Sequence, residues 1–123
     1  MSDVELLRMR PGLPVSNLEL SIAFWTSIFG FTVTHVDPES RFALLKGGGA
    51  ELSLIRQEEA PAGQTYLYVR GLDELHSRCQ EAGVEIMRPL NDWPWGLRDF
   101  VLRSPGGHMV GIAEEVDRAP TEH

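Results

Sequence analysis

Apolar positions in the first third of the chain recur at helical spacing. Leu18, Ile22, Trp25 and Phe29 follow Ser16-Asn17-Leu18-Glu19, an S-x-x-E arrangement in which a serine hydroxyl and a glutamate carboxylate satisfy free backbone amides at a helix start. The pattern predicts an amphipathic helix ending at Gly30, a residue suited to the left-handed backbone just past a helix terminus. Outside the helix the pattern changes to short apolar runs and alternation. Residues 10–15 read as a strand before it, and residues 31–36, 42–46 and 51–55 as three strands after it. Asp37-Pro38-Glu39-Ser40 and Gly47-Gly48-Gly49 supply the turns between them. The element order is βαβββ.

The second half repeats that order. Residues 64–69 form a strand, and residues 72–82 a helix with Leu72, Leu75, Cys79 and Ala82 on one face and Gly83 as its stop; residues 84–87, 98–103 and 108–113 are three further strands. Val15 matches Val69, Gly30-Phe31-Thr32-Val33 matches Gly83-Val84-Glu85-Ile86, Phe42 matches Phe100 and Gly49 matches Gly107. The separation is 53 or 54 in the early pairs and 58 in the late ones, the signature of a duplicated unit whose turns differ in length. One βαβββ module leaves a sheet face uncovered. The fold class expected is therefore α+β, with two modules, about 8–56 and 64–115, pairing into a curved half-open barrel whose concave face is a ligand cleft. A short polar tail, 116–123, completes a single domain.

Composition narrows the function classes. Of 123 residues, 42% are hydrophobic and 24% charged, ordinary values for a globular protein. The net charge of −7 disfavours nucleic acid, whose binding needs clustered Lys and Arg, and suits a neutral or cationic small ligand. There is no basic leader and no apolar run near the roughly 20 residues that span a bilayer, so a cytoplasmic protein without membrane contact is expected. Cys79 is the only cysteine, which excludes an internal disulfide or a cysteine cluster and leaves a core-packing role.

Three stretches carry a family likeness: Ala23-Phe24-Trp25-Thr26 leading to Phe29-Gly30-Phe31, Val69-Arg70-Gly71-Leu72-Asp73-Glu74-Leu75, and Pro94-Trp95-Gly96 running into Asp99-Phe100-Val101-Leu102-Arg103 and later Ala113-Glu114-Glu115. With the paired modules they make the chain, over about residues 10–115, resemble the vicinal oxygen chelate superfamily, which includes glyoxalase I, ring-cleaving dioxygenases, fosfomycin-inactivating enzymes and bleomycin resistance proteins. The last of these it resembles most.

Enzymes of that superfamily chelate a divalent metal from the first and last strand of each module. The resemblance places those positions at Arg10, Ser53, Gln64 and Gly111, and the repeat relates Arg10 to Gln64 and Ser53 to Gly111. Only Gln64 suits a metal, since Arg10 repels a cation, Gly111 has no side chain and Ser53 is a weak neutral donor. His35, His76, His108 and His123 make no H-x-H or H-E-x-x-H spacing, and a solvated or structurally bonded role is favoured for each. No metal, no cofactor and no catalytic residue are expected.

Two of the three tryptophans, Trp93 and Trp95, fall in segment 91–96, which reads as a loop. Such residues either form a stacking surface or pack at a subunit interface. In bleomycin resistance proteins the tryptophan matching Trp95 stacks on the drug's planar bithiazole, which favours the first reading for Trp95. If Gln64 faces the cleft, alternation brings Tyr66 and Tyr68 with it and turns Leu67 and Val69 to the helix. Phe42 aligns with a family aromatic of the drug groove, and His35 takes the place of another. The family groove also carries acidic groups; Asp37, Glu39, Asp92 and Asp99 are the candidates here, each read first as a solvated turn carboxylate.

The candidate ligand contacts are thus Trp95, Phe42, Tyr66, Tyr68, Trp93, His35 and Gln64. The reading that follows is reversible, non-catalytic sequestration of a planar, cationic small molecule such as a bleomycin-type antibiotic. Two alternatives remain: a metal-dependent lyase, isomerase or dioxygenase of the same superfamily, and a binding module for an endogenous metabolite. The resemblance also implies a homodimer, with Pro11 and Pro14 flanking a first strand that some relatives exchange between subunits.

Overall fold

Both helices sit between one preceding strand and three following ones. The computed structural model describes residues 4–116, which form β1 (Gly12–Val15), α1 (Leu18–Phe29), β2 (Thr32–Val36), β3 (Phe42–Gly47), β4 (Ala50–Arg56), β5 (Gln64–Tyr68), α2 (Leu72–Glu81), β6 (Ile86–Trp93), β7 (Leu97–Arg103) and β8 (Met109–Glu115). The class is α+β. The chain divides into two compact units, residues 1–59 and 60–123. Each has a mixed four-stranded sheet, ordered β1-β4-β3-β2 in the first and β5-β8-β7-β6 in the second. β1 runs parallel to β4 and β5 to β8, and the remaining pairs are antiparallel.

In the first unit α1 buries Leu18, Ser21, Trp25 and Ile28, with Ile22 and Phe29 only half-buried at the margin of that stripe. The stripe meets Leu13, Val15, Ala43, Leu45, Leu52 and Leu54 of the sheet. Trp25 stacks on Phe29 and meets Phe24 and Phe31 edge-on, so the aromatic run around the helix end packs about the buried Trp25 and Phe31. The helix cap differs from the S-x-x-E expectation. Asn17, not Ser16, adopts the extended cap conformation, and its side chain accepts the Leu20 amide at 3.0 Å. Asparagine one residue closer to the first turn reaches a free amide directly. Gly30 takes φ 79° at the other end, as its place after the helix requires.

In the second unit α2 buries Leu72, Leu75 and Cys79 against Phe100, Leu102, Val110 and Ile112. Gly71 precedes this helix and has no side chain to cap it. The cap comes instead from β8, where Glu114 accepts the Leu72 amide at 3.0 Å and the Gly71 amide at 3.3 Å.

β6 is the main departure from the sequence pattern. It runs from Ile86 to Trp93 rather than ending at residue 87, and Pro94, Trp95 and Gly96 form a hairpin turn into β7, so Trp93 lies on a strand and not in a loop. Pro89 hides this in the sequence, but β6 is an edge strand and needs no donor on its outer side, and register shifts on either side of Arg88 accommodate the irregularity.

The registers also correct one repeat pair. Phe42 pairs with Ile55, whereas Phe100 pairs with Ile112 and Asp99 with Ala113. The counterpart of Phe42 is therefore Asp99, and Phe100 corresponds to Ala43 on the helix-facing side. No helix among the described residues is long and apolar enough to cross a membrane.

Candidate functional site

The sheet face of the second unit that points away from α2 carries most of the candidate side chains. Pairing aligns Tyr66 with Gly111, Gly111 with Val101 and Val101 with Arg88, while the next row holds Tyr68, Ala113, Asp99 and Asn91. Gln64, Tyr66 and Tyr68 share this face by alternation, as the sequence implied. The Tyr66 ring lies directly over Gly111, where a β-carbon would come within 2.3 Å of it. Glycine at that position makes room for the phenol ring.

Asp99 organises this face. It is only 2% exposed, so it is not the solvated turn carboxylate that its sequence context suggests. Arg88 donates to it through both terminal nitrogens, at 2.9 and 3.1 Å, and the Trp93 indole N–H donates at 2.9 Å. The Tyr66 hydroxyl donates to the same carboxylate. Burial pushes the Asp99 pKa up, but the hydrogen bonds from Arg88, Tyr66 and Trp93 outweigh it and hold the group below its ordinary range, charged at neutral pH. Tyr66 moves the other way: burial, and then its bond to Asp99, push the phenol up to about 12, so it remains a neutral donor.

Trp93 and Trp95 stack with ring centroids 4.9 Å apart and planes at 17°. The Arg88 guanidinium carbon lies 5.5 Å from the Trp93 ring centre. Trp95, at the hairpin tip, is 59% exposed, and Tyr68 is 61% exposed beside the Tyr66 ring, 5.5 Å away and edge-on. The turn is tied down by Gly96 N–H to Trp93 O at 3.1 Å and by Val116 N–H to Gly96 O at 2.9 Å. Open indole and phenol surface therefore sits on a hydrogen-bonded frame.

In the first unit His35 and Phe42 are neighbours on β2 and β3, with ring centroids 5.7 Å apart. By register they stand where Arg88 and Asp99 stand in the second unit, so the duplicated position holds a ring pair in one copy and an ion pair in the other. Sequence reasoning missed Arg88. The signal was present in the repeat, whose early separation of 53 relates His35 to Arg88, and the strand register agrees with it.

The other acidic candidates separate clearly. Asp37 is buried, not solvated, and accepts two bonds from the Arg41 guanidinium, at 2.7 and 3.1 Å, and one from the Arg41 backbone at 3.1 Å. The Arg41 side-chain bond outweighs burial and lowers its pKa from 3.8 to about 2. Glu39 and Asp92 are exposed, with loose ion pairs of 3.6 Å to Arg41 and 3.7 Å to Arg98.

The residues that the resemblance places at the superfamily's metal positions do not fit a divalent ion. In the first unit Arg10 points its guanidinium to Glu51 at 3.6 Å, and Arg8 reaches the same carboxylate at 2.7 Å, so the nearest acid already faces two cations. Ser53 remains there as a neutral hydroxyl. In the second unit the space above Gly111 is filled by the Tyr66 ring, which leaves Gln64 without a partner ligand on that strand pair. Among the described residues no three His, Cys, Asp or Glu gather in a geometry that would hold a metal. His108 is buried and its Nδ1 accepts the Gly63 amide at 2.8 Å, while His76 packs edge-on against Phe100 at 4.8 Å. His123 lies outside the described residues, as does the tail beyond Val116.

Comparison with known proteins gives a consistent picture. The sequence model of the Glyoxalase/Bleomycin resistance protein/Dioxygenase superfamily matches residues 8–112. A bleomycin resistance protein of Geobacillus stearothermophilus is 25% identical over 134 residues, covering 90% of this chain and 98% of that protein, and one of Staphylococcus aureus matches equally. Among solved structures, TioX from Micromonospora sp. ML1 has a TM-score of 0.82 at 26% identity, covering 89% of this chain and 99% of its own. The bleomycin resistance determinant encoded on the transposon Tn5 has a TM-score of 0.75 at 19% identity, covering 89% and 98%, a likeness of fold.

Proposed function

The chain belongs to the glyoxalase/bleomycin resistance protein/dioxygenase superfamily, and on that premise we propose that it binds and sequesters a planar, cationic small molecule, such as a bleomycin-type antibiotic, without chemical turnover. The observation that carries this reading is the exposed Trp95 indole, stacked on a Trp93 that is itself hydrogen-bonded to a buried carboxylate. A planar ring laid on the free face of Trp95 gains contact area, and a positive charge on that ring is attracted by the negative face of the indole.

Tyr68, Tyr66 and Trp93 extend the apolar surface and Gln64 offers a polar edge on the same sheet face. His35 and Phe42 are the candidate contacts of the first unit. The net charge of −7 favours a cationic ligand at long range. Sequestration needs no nucleophile, acid, base or metal; it lowers free ligand by mass action. A cytoplasmic homodimer is the assembly this reading anticipates, and light scattering at micromolar concentration tests it, a monomer with intact binding removing that part.

The direct experiment is a tryptophan-fluorescence titration with bleomycins, phleomycin, mitomycin and planar metabolites. Quenching is expected in the parent protein. Trp95→Ala should weaken binding by about 10- to 150-fold, the loss of an aromatic anchor worth roughly 1.5–3 kcal/mol. Trp25→Phe, in the core of the first unit, should lower the melting temperature and leave affinity alone. Chelator-sensitive turnover of a hemithioacetal would replace the binding reading with a metal-dependent enzyme.

A further inference from the structure

The carboxylate at the centre of the aromatic face would ordinarily be assigned to the ligand's positive charge. The hydrogen bonding argues otherwise. Asp99 accepts two bonds from Arg88, one from the Trp93 indole and one from the Tyr66 hydroxyl, which uses the roughly four acceptor positions a carboxylate has. Its charge is matched by Arg88 at 2.9 Å, and at 2% exposure it presents almost no surface to a ligand. What it does touch are side chains from β5 and β6 that a ligand would meet. Its reach extends further, because the ring contact of Trp95 among the described residues is the stack on Trp93.

We infer that Asp99 is a positioning residue of the aromatic site: its carboxylate fixes the Tyr66 phenol and the Trp93 indole, and through Trp93 the stacked Trp95, in the arrangement a planar ligand meets. The inference rests on the stacking reading proposed above. Its consequence for ligand choice is that the centre of this face is electrically neutral. Preference for a cation then comes from the indole faces and the overall charge, and not from a counter-ion at Asp99. Fixing the rings before the ligand arrives lowers the ordering cost of binding, so the bond network acts on affinity without touching the ligand.

The test separates holding from attracting. Two closely stacked indoles couple their ultraviolet transitions, so the unliganded protein should show a far-ultraviolet circular dichroism couplet that Trp95→Phe abolishes. Asp99→Ala should lose the same couplet while the protein still melts cooperatively. Asp99→Asn should restore much of it, because an amide oxygen still accepts the Trp93 N–H. Affinity is then read with two probes of nearly one shape, cationic N-methylphenanthridinium and phenanthridine, which is uncharged at neutral pH. Removing the carboxylate alone would leave the Arg88 charge unmatched, so the affinity variants also carry Arg88→Met, which keeps the face neutral. Positioning predicts that Arg88→Met with Asp99→Ala weakens both probes to the same degree, by about tenfold, and that Arg88→Met with Asp99→Asn stays near the parent for both. Loss of the cationic probe alone in Arg88→Met with Asp99→Asn would make Asp99 a counter-ion and overturn the inference, as would a couplet that survives Asp99→Ala. Should the alanine variants not fold, Arg88→Met with Asp99→Asn decides between the same two outcomes. A parent protein that binds neither probe counts against the stacking reading, and the couplet, measured without ligand, still decides the role of Asp99.

Discussion

The space above Gly111 is already taken by the Tyr66 ring, and this one contact links backbone composition to the shape of the candidate site. A methyl group there would come within 2.3 Å of the ring, so the phenol or the strand has to move. Gly111→Ala should therefore destabilise the protein by about 1–3 kcal/mol in denaturant titration, the usual range for overpacking. The same substitution in a Tyr66→Ala background should cost far less, and equal costs in both backgrounds would show that the ring is not the obstacle. Asp37 makes a second prediction at this scale. Arg41 lowers its pKa from 3.8 to about 2, so the folded state binds its proton less tightly than the unfolded state does. The resulting stability is present above about pH 3.8 and is lost as pH falls toward about 2. Asp37→Asn should flatten that part of the stability profile. None of this was legible in the sequence, where Asp37, Glu39, Asp92 and Asp99 look alike. Burial and an arginine supplied by a neighbouring turn or strand separate the first and last from the other two.

Element boundaries depend on which group satisfies the free amides at a helix start. Asn17 does so for α1 from within the local sequence, and Glu114 does so for α2 from 42 residues away. Asn17→Ala should cost about 0.5–2 kcal/mol in equilibrium unfolding, while Ser16→Ala, at the position the S-x-x-E pattern suggested, should change little. Glu114→Ala should cost about 1 kcal/mol and speed amide exchange at Gly71 and Leu72. Helices and most strands were readable because period and punctuation are local properties. The face each strand residue occupies was less so. A one-residue slip in the repeat matched Phe42 to Phe100 when its counterpart is Asp99, and such a slip exchanges the two faces of a strand. Arg88 is the counterpart of His35 at the early separation of 53, but with Asp99 assigned to the wrong face its ion pair, which neutralises the aromatic face, stayed hidden.

At the scale of the whole molecule, duplication was the most legible feature, because two copies of βαβββ in one chain leave few alternatives, and both units have that order. The site candidates were legible as residue types and, for Gln64, Tyr66 and Tyr68, as a face. Their mutual support was not, since it runs through Asp99 and a strand extended past Pro89. The four positions that the resemblance assigns to the superfamily's metal site give a molecule-wide prediction. They hold Arg10, Ser53, Gln64 and Gly111, with Arg10 facing Glu51 and the space over Gly111 filled by a ring. A metal that bound the folded state at 100 times its dissociation constant would add about 2.7 kcal/mol and raise the melting temperature by several degrees. Zinc, nickel, manganese or cobalt added in excess to chelator-treated protein should instead leave the melting temperature unchanged within a degree or so. The control is Arg10→His with Ser53→Glu, which places an imidazole and a carboxylate on the first unit and should create a measurable shift if residue type, and not geometry, is the obstacle in the parent. A clear shift in the parent protein would mean that ligands outside these four positions have rebuilt a site, and it would return the chain to the metal-dependent side of its superfamily.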